Sequence, residues 1–534
     1  MRTLFAATSE AERRGMPVEE VLGEVDARAA AKTEIGRRDF LKLGAGAGAA
    51  LAIGGTVLRP RRSDAAPGPR VAIVGAGLAG IRCADRLWGS GPHRAPLAST
   101  VYEAATSHIG GRCWTLRDYF SHGLIGEHGG AFINSDQREI RKLLGGLGLQ
   151  LEVVDGGDLL QGQEIYSFDG VPYTAAEATA DWLAIGRDVF RAASASAPFP
   201  QLWDRFKPEG RRLDRLSVPE WLEQVGIGTG SNFGKLMLAN SVSEYGGDPH
   251  DQSSLNLIGL LGLGRALELA SYDENYHVVG GNDQIISGML DRLPQRTVRQ
   301  GYELVALAER SGGDYRLTFR VGDAHRDVIA DRVVLALPFS TLRDVDLSKA
   351  NFSPRKMKAI QTMGMGQNAK IHVELKRKTW PSLGFSGSSY TDWQGYCVAW
   401  DDSVQLGPDG APAILLGFPG GHVGKNVLTG ADHGPAPHTD VSWFLDQIEP
   451  IFPGTKAAFT GRAYEDHWSD DPWHRGAYSY YRVGQYTSIA GIERVQEGGV
   501  HFAGEHTDVE EQGFLNGAVV SGERVAREIL GKHR

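Results

Sequence analysis

The sequence predicts an α/β fold built around a parallel sheet, and three observations predict it. The run "RVAIVGAGLAG", Arg70 to Gly80, places an apolar strand signature, Val71 to Val74, directly before Gly75, Gly77 and Gly80. A helix-compatible stretch, "IRCADRLW", follows, and a second strand signature, "STVYEA", carries Glu103 near its end. A strand that is apolar throughout, rather than alternating, belongs to a sheet covered on both faces.

Each element has its own reason. Gly75 allows the tight turn after the strand, Gly77 lets backbone approach a pyrophosphate, and Gly80 lets helix and strand pack closely. The helix N-terminus presents free N–H groups and a partial positive charge to that anion. Glu103, about 20 residues on, stands where a carboxylate holds the adenosine ribose. Strand, glycines, helix and acid in this order define a Rossmann-like dinucleotide site.

The bulk numbers restrict partners. The chain has 534 residues and a formal charge of −9. Its first 65 residues hold 11 basic and 9 acidic side chains, leaving about −11 on the rest. That is too acidic for a nucleic-acid binder or an anionic-membrane binder. Cys83, Cys113 and Cys397 are scattered, with no C-x-x-C pair, and read as buried thiols rather than a disulfide framework or zinc site. The 16 histidines look isolated and there is no H-E-x-x-H helix, so the sequence predicts no metal centre. A hydrolase lacks its G-x-S-x-G elbow.

The stretch "GRRDFLKLGAGAGAALAIGG", Gly36 to Gly55, pairs Arg37-Arg38 with a soft Gly/Ala run that contains Lys42. It is a poor permanent anchor, and no other run approaches the ~18 to 20 apolar residues of a spanning helix. With Ser63, Asp64 and Ala65 near a cut, residues 1–65 read as a twin-arginine-type signal region. That predicts the twin-arginine export machinery as a partner and a periplasmic, cell-wall-associated or secreted destination. This route carries proteins already folded, commonly around a cofactor.

Further motifs identify the dinucleotide. Soon after Glu103 come "GGRCWTLR", Gly110 to Arg117, and "GEHGGAFI", Gly126 to Ile133. Arg112 can neutralise a pyrophosphate by two parallel hydrogen bonds, and Gly129-Gly130 allow the chain to pass close to a flat ring. "YHVVGGNDQI", "DRVVLALP", "HWSDDPWHRGAYSYY" and "VHFAGEHTDVEEQGFLNGAVVSGERVAREIL" continue the order toward the C-terminus. In that order these segments resemble the flavin-dependent amine oxidase family, which includes monoamine, polyamine and L-amino-acid oxidases. The resemblance spans roughly residues 70 to 530 and is weak between about 150 and 270.

The resemblance implies a Rossmann-like FAD-binding domain of the flavin amine oxidase type, from residues 70–150, 276–345 and 460–534. An interleaved α+β substrate-binding domain comes from 151–275 and 346–459. It implies FAD contacts at Gly75, Gly77, Gly80, Glu103, Gly111, Arg112, Gly129, Gly130, Ala131, Leu304, Trp468, Gly504 and Glu505, the last accepting a ribityl hydroxyl. The final segment also reads as a helix on its own pattern: Leu515, Ala518, Val519, Gly522, Ala526 and Ile529 form one apolar stripe. Where some monoamine oxidases attach the flavin through cysteine, this chain has Ala477, so FAD is expected without a covalent bond there.

The implied chemistry is transfer of a hydride from the carbon of a neutral amine to flavin N5. The imine hydrolyses, and O2 leaves as H2O2. Three positions carry it. "NAKIHVEL" alternates, giving a strand with Asn368, Lys370, His372 and Glu374 on a polar face. From pattern alone that face is solvated; by resemblance Lys370 holds a water against flavin N5. Tyr478 and Phe514 match the two rings that flank the amine, steering it and keeping the site dry. Trp114 stands where the L-amino-acid oxidases place a carboxylate-binding arginine. An amine without an α-carboxylate is therefore the expected substrate, with Arg117 the alternative anchor for an amino acid. Related FAD desaturases and dehydrogenases, and a non-catalytic exported flavoprotein, are the other readings. The resemblance also allows a homodimer.

Overall fold

Val71–Val74 (β1) is buried at all four residues, and the helix Leu78–Trp88 (α1) starts directly beyond the Gly75–Gly77 turn. The structure is a computed structural model that describes residues 68–89, 97–154, 163–262, 274–403 and 411–531. The arginine pair and its apolar run lie outside the described residues. No helix among those residues is long and apolar enough to cross a membrane.

Along the chain follow Ser99–Glu103 (β2), Val298–Gln300 (β3), Arg332–Leu335 (β4), Ala369–Leu375 (β5), Phe459–His467 (β6), Val500–Phe502 (β7) and the helix Leu515–Ile529 (α2). One sheet has the order β7-β4-β1-β2-β3, and every pairing in it is parallel. Its strands come from both ends and the middle of the chain. The turn glycine is obligatory: Gly75 has φ +101, and a Cβ there would stand 2.7 Å from Ala336 O. A Cβ on Gly80 would stand 2.0 Å from Gly75 O, so close helix–strand packing excludes any side chain.

The terminal helix packs on α1. A Cβ on Gly522 would lie 2.4 Å from Ala79 O, and Glu523 beside it pairs with Arg82 at 2.8 Å and Arg86 at 2.7 Å. The buried face is broader than the predicted stripe. It takes in Asn516, Gly517, Ser521 and Val525, while Leu515, Ala518 and Ile529 are half-buried. Polar residues enter that face because they bond to chain: Ser521 Oγ accepts from Gly504 N at 2.9 Å, and Asn516 Oδ1 from Ile140 N at 2.9 Å.

A second, eight-stranded sheet contains β6 and β5 side by side, flanked by His433–Pro435 at one edge and by Ala413–Phe418 and further strands on the other side. Two corrections follow. All seven residues of β5 are buried, so its polar face is covered rather than solvated. The expected boundary at residue 460 falls within β6, which pairs antiparallel with β5 over Ala369↔His467 to Leu375↔Phe459. That segment therefore belongs with the second sheet. Residues 208–261, where the sequence carries little signal, form four helices, one opened by a Ser217–Glu220 capping box.

Replacing Gly522 with valine forces α1 and α2 apart. Overpacking of this kind costs about 1–3 kcal/mol or more, so the thermal midpoint of Gly522→Val should fall by several degrees.

Candidate active site

The parallel sheet opens onto a cavity of about 450 Å³. Gly75, Gly77 and Leu78 line it where β1 turns into α1, Glu103 at the end of β2, and Gly111 and Arg112 in the following loop. Gly129, Gly130, Ala131, Leu304, Lys370, Trp468, Tyr478, Gly504, Glu505 and Phe514 line it as well. Gly80 stands behind the wall in its packing role.

Gly77 tests the fit of a dinucleotide. Its φ is −69, which any residue adopts, and a Cβ there would meet nothing nearer than 3.9 Å. The protein's own packing therefore does not demand glycine; a ligand that must reach the α1 N-terminus does. Glu103 also fits. Its carboxylate accepts the N–H of Ala76 at 2.6 Å and of Ala105 at 2.8 Å, which leaves acceptor capacity for ribose hydroxyls. Burial raises its pKa, against the pull of those two N–H groups.

Glu505 differs. Its oxygens accept from Ser479 N at 3.2 Å, Ser479 Oγ at 2.8 Å, Gly513 N at 2.9 Å and Arg112 Nη1 at 3.3 Å. A carboxylate offers about four lone-pair sites, so this one is satisfied by protein. Within the protein Glu505 is a clamp. Arg112 Nη1 also donates to Ala477 O, so one guanidinium joins the loop after β2 to two C-terminal segments.

Lys370 is buried, with Nζ donating to Glu127 O at 2.7 Å and Gly129 O at 2.8 Å. Burial pushes its pKa below the ordinary lysine value, while Asp402, Asp466 and Glu127 pull it back. The Tyr478 hydroxyl donates to Ser243 O, and burial, then Glu244, drive its pKa well upward. Trp468 Nε1 donates to His128 O at 2.9 Å.

The two proposed carboxylate positions do not reach the cavity. Trp114 is stacked between His108 at 4.0 Å and His128 at 3.7 Å, outside the lining. Arg117 is exposed and tied to Asp283 and Gly280 O. Both flank the short strand that pairs Thr115 with Glu127.

Sequence reading missed the supports. Glu127, 1% exposed, accepts from His277 Nε2 at 2.7 Å, Asn282 N at 2.8 Å and Thr115 Oγ1 at 3.0 Å. Asn282 in turn donates to Gly130 O at 2.9 Å and Ala131 O at 2.8 Å, fixing the glycine wall. His108 and His474 line the cavity near Gly111. Glu127 sits inside "GEHGG", so an acid in a glycine-rich motif was the available signal. The partners are too distant in sequence to be paired with it.

Fold and site together define a dinucleotide-dependent oxidoreductase. The model of flavin containing amine oxidoreductases matches residues 78–530, and the chain belongs to that family. It is an FAD-dependent amine oxidase. A twin-arginine translocation signal matches residues 34–54, which indicates twin-arginine export. The chain is 25% identical over 487 residues to amine oxidase [flavin-containing] B of Sus scrofa, covering 86% of each. It is 26% identical over 472 residues to the putative flavin-containing monoamine oxidase AofH of Mycobacterium tuberculosis, covering 86% of this chain and 96% of that one. Among solved structures, cyclohexylamine oxidase from Brevibacterium oxydans IH-35A has a TM-score of 0.73 at 21% identity, covering 87% of this chain and 99% of that one. Putrescine oxidase bound to putrescine gives 0.70 at 22%, with the same coverage. These structural likenesses show the fold.

The buried His277 gives a pH prediction. Burial lowers its pKa, but hydrogen bonds to Glu127 and Glu152 outweigh it and raise the value to about 9. A raised folded pKa contributes stability that is full below the unfolded value of about 6.5 and is lost as pH rises through 9. On the order of 3 kcal/mol should drain across that window. Thermal midpoints from pH 6 to 9.5 should fall for the parent, and His277→Gln should flatten the alkaline decline.

Proposed function

We propose that the enzyme oxidises amines lacking an α-carboxylate, taking a hydride from the carbon that bears the neutral amine. FAD, when bound, supplies the two-electron acceptor and passes the electrons to O2, which leaves as H2O2. The imine hydrolyses to a carbonyl compound and ammonia or a shorter amine.

One observation carries the substrate reading: no guanidinium among the described residues is placed for a carboxylate. Of the arginines that line the cavity, Arg112 is engaged by Glu505 and Ala477 O and Arg475 by Asp344. Arg117 is held outside by Asp283. Glu244 and Glu274 line the same cavity, and both act electrostatically on Tyr478, which favours a cation over an anion at the entrance to the wall of rings.

In this reading Gly75, Gly77, Gly111, Arg112, Gly129, Gly130, Ala131, Leu304 and Gly504 shape the FAD cradle, Gly80 lets α1 close on it, and Glu103 holds its ribose. FAD is held without a covalent bond at Ala477, whose methyl offers no nucleophile. Tyr478 and Phe514 wall the amine and exclude bulk water. Lys370 spends two of its three protons on the Glu127 and Gly129 carbonyls, leaving one for a water at the cavity wall. The described parts of residues 70–150, 276–345 and 468–531 form the cofactor side; those of 151–275 and 346–467 face the substrate.

Peroxide release in air from a panel of amines, each paired with its α-carboxylated amino acid, tests the substrate class. Turnover of the amines alone is expected; turnover of the amino acids instead would refute the carboxylate argument. Acid precipitation should release all flavin into the supernatant. Lys370→Met should slow re-oxidation by O2 about tenfold or more, a loss of roughly 1.4 kcal/mol in transition-state stabilisation, with a smaller effect on anaerobic reduction by the amine.

A further inference from the structure

Behind the cavity wall lies a cluster that the amine chemistry does not use. Asp466 on β6 is fully buried, and its Oδ1 stands 2.6 Å from His128 Nδ1 and 2.7 Å from His433 Nδ1. Ligand atoms from these three residues all lie within 4.8 Å of one another. A third imidazole closes the far side: His372 Nδ1 is 3.9 Å from Asp466 Oδ2.

The cluster is unfinished as a hydrogen-bond network. Asp466 Oδ2 and His372 Nδ1 have no hydrogen-bond partner although both residues are fully buried, while His372 Nε2 faces the Asp402 carboxylate at 3.3 Å. Buried polar groups are rarely left so, because each orphan costs about 1–3 kcal/mol. One divalent ion at Asp466 would give that buried carboxylate a further partner. His433 also shows the outer-shell arrangement of a metal-binding imidazole, its Nε2 facing Asp471 Oδ2 at 3.1 Å. Its side chain is 11% exposed, which gives an ion a way in.

We propose that His128, His433 and Asp466 bind one divalent transition-metal ion of the zinc class, with the fourth position left to water. Two imidazoles and one carboxylate suit that class better than a hard alkaline-earth ion. Metal–nitrogen and metal–oxygen bonds of about 2.0–2.2 Å separate neighbouring tetrahedral ligand atoms by roughly 3.3 Å. The His128 and His433 rings must therefore each withdraw by about 0.6 Å from Asp466. Trp114, stacked on His128 at 3.7 Å, forms one side of this site.

The site would matter to the cavity through the backbone. His128 lies between Glu127 and Gly129, whose carbonyls hold Lys370, and its own carbonyl accepts from Trp468. An ion on the His128 ring would tie that segment to β6 and to the His433–Pro435 strand.

The test uses the untagged, FAD-loaded full chain, stripped with chelator and offered Zn²⁺ alone. About one equivalent should survive gel filtration, and the thermal midpoint should rise by several degrees. His433→Gln and Asp466→Asn should each retain less than a tenth of an equivalent, while His422→Gln, exposed and outside the cluster, should retain the full amount. His433 lies nearest the surface, so its variant decides the matter if Asp466→Asn fails to hold flavin. No uptake by the parent, or equal uptake by His433→Gln, would overturn the proposal.

Discussion

The cavity depends on one interaction, the clamp between Arg112 and Glu505. Arg112 follows the first half of the cofactor unit, while Ala477 and Glu505 arrive nearly four hundred residues later, and all three meet at one guanidinium. Glu505 gains its strength from being fully bonded: Ser479 and Gly513 supply the remaining donors. A buried carboxylate left with an empty lone pair, or a guanidinium left without it, costs far more than the pair contributes when complete. The chain closes on itself there, and the walls carrying Tyr478 and Phe514 are fixed by the same closure.

A second buried carboxylate plays a comparable part on the other wall. Glu127 orders the turn at Asn282 and the ring of His277, and Asn282 orders the Gly130 and Ala131 carbonyls. The backbone of the same segment holds Lys370. Polar groups in this region therefore serve as rigid fixings for a lysine whose pKa burial lowers. The proposed metal cluster extends the fixing outward, from His128 to β6.

The cofactor half of the fold was legible because it is local. A buried strand, a turn that only glycine can make and a helix follow one another between Val71 and Trp88, and their physics is written in adjacent residues. The identity of the cavity wall was legible through ordered motifs at both chain ends. What pattern could not supply was anything requiring a partner far away. The alternation in "NAKIHVEL" reads as a half-exposed strand, because sequence period cannot reveal that a second layer covers the polar side. Trp114 and Arg117 lie near the cavity in sequence and outside it in space, held there by ring stacking and by Asp283. His128, His433 and Asp466 look isolated for the same reason: their neighbourhood is made by sheet topology.

The central claim is that Arg112 and Glu505 act as one unit in assembling the FAD site. A double-mutant cycle on the FAD dissociation constant, with Arg112→Met, Glu505→Met and both together, measures that most directly. The account predicts strong coupling: each single change weakens FAD binding at least tenfold, and the double variant binds within about threefold of the weaker single. Losses that multiply, as for independent sites, would contradict it.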